Sequence, residues 1–130
     1  MSTVIDEIVR YRSPLHQVSF HAASDVKLGG VKIPEGDRVI AFLGSANRDP
    51  RQFDDPDTFI PDRKPNHHIG FLDGPQFCLG APFARMEGKV AFLEFFDRFE
   101  AIDLDMAAAK PSLNPQEYSF RSVPITVERS

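Results

Sequence analysis

Tryptophan is absent from this 130-residue chain, tyrosine occurs twice and cysteine once. The single thiol, Cys78, cannot form an intrachain disulfide, so the fold must be held by non-covalent packing. No stretch approaches the roughly 18 consecutive apolar residues that a membrane-spanning helix needs. The first residues, Met1 to Glu7, have neither the basic region nor the apolar run of a secretory signal. Basic residues are also in deficit, 15 against 19 acidic, for a net charge of -4. That balance gives no electrostatic reason to expect nucleic acid or an anionic membrane as partner. One thiol without an export signal fits a reducing cytoplasm.

What is present is a chain long enough for one domain, read here as spanning residues 1–130. Hydrophobic residues make up 42% of it, including 12 phenylalanines, while 11 prolines and 8 glycines punctuate its middle. Thr3-x-x-Asp6 reads as a capping box opening a short helix over about Val4–Tyr11, which Ser13-Pro14 ends. Asp25–Leu28 and Val31–Ile33 flank Gly29-Gly30, a two-residue hairpin turn. With Pro34-Glu35-Gly36-Asp37 as a second turn and Arg38–Leu43 as a further strand, the front third reads as an antiparallel meander. From Ser45 to Gly80 turn follows turn, an irregular stretch of a length that is often functional.

Leu79, Phe83, Met86, Val90 and Leu93 then recur at helical spacing and predict a long helix to about Phe99. Ala84, Ala91, Phe92 and Phe95 widen its apolar face, which predicts burial on most sides. Ser119–Val127 reads as a terminal strand, interrupted by Pro124 and so placed at an edge.

Cys78 stands in Gly70-Phe71-Leu72-Asp73-Gly74-Pro75-Gln76-Phe77-Cys78-Leu79-Gly80, just ahead of the predicted long helix. A helix N-terminus offers free N–H groups and partial positive charge, both favourable to a thiolate. Gly74 and Gly80 remove side-chain bulk near the sulfur, and Phe71 and Phe77 can pack around it or against a flat ligand. Thiolate-ligated haem is chemistry that uses such a site. The competing reading is a buried cysteine acting as a small hydrophobe. A zinc site of Cys78, His67 and His68 lacks a fourth ligand and the usual paired spacing.

Phe71-x-x-Gly74-x-x-x-Cys78-x-Gly80, followed by Ala84-Arg85-x-Glu87, resembles the haem-binding loop of the cytochrome P450 family. In the family's order stand Glu7-x-x-Arg10, Asp25–Gly30 with Ile33-Pro34-x-Gly36, Asn47-Arg48-Asp49-Pro50, and Pro56-x-x-Phe59-x-Pro61-x-Arg63. Together they cover nearly the whole chain and are closest in style to soluble bacterial members. The resemblance implies an α+β fold, the C-terminal portion of the P450 fold: short helix, small antiparallel β region, irregular meander, cysteine loop, long buried helix and terminal β. It implies haem b held by Cys78 as the axial iron ligand, with Phe71, Gly74, Gln76, Phe77 and Gly80 around the cofactor. Glu7, Arg10 and Arg63 are implied as a buried ion-pair cluster with a structural role.

Some positions depart from the family's pattern. Gln76 and Phe20 stand where a propionate-binding cation is usual, and His21 would face the other side of an extended strand. Leu72 replaces a common glycine, and His67 and His68 read as a solvent-facing pair or as help for a propionate. The family's oxygen-activating helix is absent from these 130 residues, so the chain reads as a truncated haem-binding domain. Two functions follow. One is the C-terminal part of a monooxygenase-type oxidoreductase, not competent alone, with a ferredoxin-type electron donor that Arg48, Arg63, Arg85 and Lys89 would contact. The other is a non-catalytic relic or haem-binding interaction module that associates with a complementary P450 half or with itself. Glu117–Val123 lies where the family approaches substrate, with no indication of which substrate.

Overall fold

The computed structural model describes residues 2–129. Helix α1 (Ser2–Tyr11) buries Ile5 and Val9, four apart, and on the adjoining face Glu7 and Arg10, three apart. Ser2 and Thr3 are already helical, so Thr3 lies inside the helix and not at its cap, and Asp6 is free for another task. The helix ends where Ser13 Oγ donates to the Val9 carbonyl at 3.0 Å, immediately before Pro14.

Strands β1 (Gln17–His21) and β4 (Arg38–Phe42) pair antiparallel, and between them lies the hairpin of β2 (Val26–Leu28) and β3 (Val31–Ile33). Gly29 and Gly30 both take positive φ, +56° and +86°, the requirement of a tight two-residue turn. The expected meander is therefore replaced by two separate two-stranded sheets, with the hairpin hung from the β1–β4 ladder. β1 was not among the expected strands, although Val18 and Phe20 alternate there with Gln17, Ser19 and His21.

A one-turn helix, α2 (Leu43–Ala46), brings Leu43 and Asn47 into the interior. Residues 47–80 are irregular apart from a 3-10 turn at Gly74–Gln76, and they are pinned inward by Phe53 and Arg63. Helix α3 (Ala81–Arg98) begins two residues later than its periodicity suggests and runs directly into β5 (Phe99–Leu104). β5 pairs antiparallel with β8 (Ile125–Arg129), and β6 (Lys110–Pro111) with β7 (Phe120–Ser122). The single strand expected over Ser119–Val127 is thus two strands with different partners, divided at Pro124.

α3 is not buried on most sides. α1 lies along it, with Ile5 against Gly88 and Ala81 fully buried, while β5 extends from its end. The stripe that announced the helix points the other way: Phe83, Met86, Val90 and Leu93 are all exposed. Periodicity revealed the helix but could not say that one apolar side only would be covered within these residues. The α+β class holds.

Candidate functional site

The interior is polar at its centre. Arg10 donates to Glu7 through Nε and Nη2, both at 2.8 Å, in a bidentate pair, and Arg63 Nε donates to the same carboxylate at 3.2 Å. The Ile60 N–H and the Asn66 amide add two more donors, at 2.9 and 3.1 Å. The remaining guanidinium N–H groups go to backbone: Arg10 to the carbonyls of Asn47, Pro56 and Thr58, Arg63 to those of Asp54, Asp55 and Thr58. One carboxylate and two guanidiniums thus stitch α1 to an irregular segment that has no ladder of its own to satisfy its carbonyls. Burial pushes the Glu7 carboxyl up, but the bonds from Arg10, Ile60 and Arg63 outweigh it and hold its pKa below the ordinary value.

Asn47 extends this hub towards the cysteine loop. Its Nδ2 donates to Ser13 Oγ at 2.7 Å, and its Oδ1 accepts from the Ile69 N–H at 2.8 Å. Gly70 follows, pressed so closely on α1 that a Cβ there would overlap Val9 Cγ1. The loop then turns with the Leu72 N–H on the Ile69 carbonyl, 2.8 Å, and closes with the Cys78 N–H on the Phe71 carbonyl, 2.8 Å. Cys78 itself is exposed. Its carbonyl accepts from Ala81 N–H at 3.1 Å, so the loop feeds straight into the first turn of α3.

The two framing glycines act differently from one another. Gly74 has φ +60° and a Cβ there would meet open space, so backbone conformation and not bulk requires it. A Cβ on Gly80 would make ordinary contact, 3.8 Å, with Cys78 Sγ. Leu72, standing where a glycine is common, takes φ +61°. Phe77 is half exposed, and Gln76 is exposed in the 3-10 turn. Phe71 is turned inward: its ring lies 5.8 Å from that of His68 and 4.7 Å from the Arg85 guanidinium.

The expected pair of solvent-facing histidines is divided. His67 is exposed, whereas the His68 side chain is 3% exposed. His68 Nδ1 accepts from Gly70 N–H at 3.1 Å, so a neutral ring carries its proton on Nε2, which faces Asp6 Oδ1 at 3.2 Å. Burial holds the His68 pKa below its usual value, and the two bonds together leave no free lone pair for zinc. Asp6 Oδ1 also accepts from Arg85 Nε at 2.7 Å. Asp6 was read only as part of a cap. Its position one residue before Glu7, and so on an adjoining face of α1, was the available signal.

On the β1–β4 sheet Phe20 pairs with Val39 and His21 with Arg38, so the two fall on opposite faces, and Arg38 donates to Ser19 Oγ. Of the basic residues expected to meet a partner, Arg63 is withdrawn because the hub consumes it, Arg48 pairs with Asp57 and bonds the Tyr11 carbonyl, and Arg85 holds Asp6. Lys89 is exposed. Among the described residues no helix is long and apolar enough to cross a membrane.

The chain as a whole is similar to known proteins. The family model for cytochrome P450 matches residues 1–129, and the chain belongs to that family. It is 41% identical over 108 residues to 6-deoxyerythronolide B hydroxylase of Saccharopolyspora erythraea, covering 83% of this chain and 27% of that protein. To cytochrome P450 119 of Sulfolobus acidocaldarius it is 44% identical over 100 residues, covering 77% and 27%. Among solved structures, CYP109E1 from Bacillus megaterium in complex with testosterone superposes with a TM-score of 0.90 at 38% identity, covering 96% of this chain and 35% of that one. P450BioI bound to an acylated acyl carrier protein gives 0.92 at 33% identity, covering 98% and 33%. The chain therefore spans between a quarter and about a third of the length of these relatives.

Proposed function

We propose that this chain binds haem b through the Cys78 thiolate and forms the C-terminal part of a P450 monooxygenase-type oxidoreductase. The observation that carries the reading is the exposed Cys78 at the end of a loop closed by the Phe71 carbonyl and framed by Gly74 and Gly80. Among the described residues no cluster of His, Cys, Asp or Glu could hold a metal ion in its place, and the Cys78 sulfur would hold the haem iron. Gly74, Gln76, Phe77 and Gly80 would border the cofactor, Phe71 would act from behind them by holding the Cys78 N–H through its carbonyl, and bound haem would supply one-electron and oxygen chemistry. Glu7, Arg10 and Arg63 serve structure, holding the segment that carries the loop. Phe20 and Gln76 leave the propionates with a neutral grip at two positions. Oxygen-activating groups and the substrate pocket come from P450 sequence outside these residues, and electrons from a ferredoxin-type donor that Lys89 and the rims of Arg48 and Arg85 would meet.

The test is direct. Purified chain mixed with haem, reduced and exposed to carbon monoxide should give a red-shifted Soret band that Cys78→Ala abolishes. Failure to take up haem, or an unchanged spectrum in the variant, overturns the proposal.

A second reading rests on the exposed apolar side of α3, where Phe83, Met86, Val90 and Leu93 lie together. A contiguous apolar surface of this kind marks an association face. It favours a haem-binding module that joins a complementary P450 half or a second copy of itself.

A further inference from the structure

We propose that Asp6 is a positioning residue for Cys78, its carboxylate clamping both ends of the cysteine loop to α1 at once. The inference rests on the haem-thiolate reading above and deepens it. One oxygen, Asp6 Oδ1, receives His68 Nε2 at 3.2 Å on the entering side of the loop and Arg85 Nε at 2.7 Å on the leaving side. Between those two anchors the chain runs through Phe71, Cys78 and the first turn of α3. The clamp is closed sideways as well. The Arg85 guanidinium lies over the Phe71 ring at 4.7 Å, and the Phe71 carbonyl takes the Cys78 N–H at 2.8 Å.

His68 transmits the hold in one orientation only. Its Nδ1 is occupied by the Gly70 N–H, which leaves Nε2–H to point at Asp6. Glu7, the next residue, is fully committed to Arg10 and Arg63, so the two neighbouring carboxylates of α1 divide the work. Glu7 holds the segment before the loop, and Asp6 holds the loop itself. Asp6, Arg85 and the His68 ring are partly or wholly shielded, with side-chain exposures of 26%, 33% and 3%, so water competes only in part for their bonds.

The test is hydrogen exchange of the haem-free chain, read at the Cys78 amide, with Glu94→Ala as a control on an exposed helical pair. Asp6→Ala removes both the His68 and the Arg85 bond and should raise exchange at Cys78 by about tenfold or more, since each is a charge-assisted hydrogen bond. Amides inside α1 and β4 should move far less. Asp6→Asn, which keeps an acceptor oxygen, should recover most of the protection. In haem-loaded protein, Asp6→Ala should retain haem but lower the fraction showing the red-shifted carbon monoxide Soret band. An unchanged Cys78 amide, a rise of equal size throughout the chain, or an unaltered thiolate fraction overturns the positioning role. A wild-type chain that takes up no haem sinks the haem-thiolate reading instead, and the exchange experiment still decides the clamp.

Discussion

Glu7 is 0% exposed and Arg10 1%, whereas Phe83 and Met86 on α3 are 62% and 55% exposed. In this chain the charged hub is inside and much of the apolar side chain is outside, the reverse of the usual distribution. The two regions differ in what they need. Each member of the Glu7–Arg10–Arg63 hub finds its partners within residues 7–66, so the hub is complete in itself. The outer side of α3 has α1 behind it and no described element in front. Polar groups specify the local framework here because an irregular segment offers carbonyls that only long, forked side chains can reach. Apolar groups on the outer side of α3 are left exposed by these residues.

Breaking the hub gives the largest expected effect. Glu7→Ala strands two buried guanidiniums and should lower unfolding stability by about 3–5 kcal/mol in urea titrations, the range for a broken buried pair. The same carboxyl sets an acid dependence. Its folded pKa lies below its ordinary value of 4.5, so its stabilisation is complete above that pH and is lost as pH falls through the folded pKa. Stability of the wild type should therefore fall below about pH 4.5 more steeply than that of Glu7→Gln. Parallel acid profiles in the two proteins would mean the hub is less closed than its bonds indicate.

Gly70→Ala strikes the junction between hub and loop. The added Cβ overlaps Val9 Cγ1 and crowds the Val9 carbonyl, so α1 or the loop must shift. A loss of about 1–3 kcal/mol is expected, as for overpacking elsewhere in protein interiors. An unaffected unfolding midpoint would show that the loop is held by its hydrogen bonds alone and not by contact with the helix.

The hub was legible only through the family resemblance, which joins Glu7 and Arg10 to Arg63; two residues three apart on a helix would equally suit an ordinary surface pair. Cys78 was legible as the only thiol. What could not be read were partners far apart in sequence whose residue types carry no distinctive spacing: Asp6 with Arg85, 79 residues apart, and Asn47 with the Ile69 N–H. The pairing of β1 with β4 across an intervening hairpin was equally hidden, because alternation gives a strand but not its neighbour. α3 misled for a related reason. Its apolar residues are spread around it among Arg85, Glu87, Lys89, Glu94, Asp97 and Arg98, so the pattern announces a helix but says nothing of how much cover these residues supply.

Leu72 offers a smaller change of opposite sign. At φ +61° it occupies a backbone region that disfavours a side chain by about 1–2 kcal/mol. Leu72→Gly relieves that strain, while the more flexible unfolded chain takes back about 0.4–1 kcal/mol. A net gain of about 0.5–1 kcal/mol is expected by urea titration. A loss would mean that the half-buried Leu72 side chain contributes more through its packing than its backbone gives up.

Met86→Lys carries the comparison to its weakest limit. A charge placed at Glu7 or Arg10 meets a closed hub, but at Met86 it meets solvent, so unfolding stability should change by no more than about 0.5 kcal/mol. What should change is association. A lysine in the middle of the Phe83–Leu93 stripe would have to be desolvated whenever that face is covered. Sedimentation should then show less self-association in Met86→Lys than in wild type, at matched stability. A stability loss as large as that of Gly70→Ala would mean the α3 stripe is already packed within the chain, and the contrast between a finished polar interior and an unfinished apolar exterior would fail.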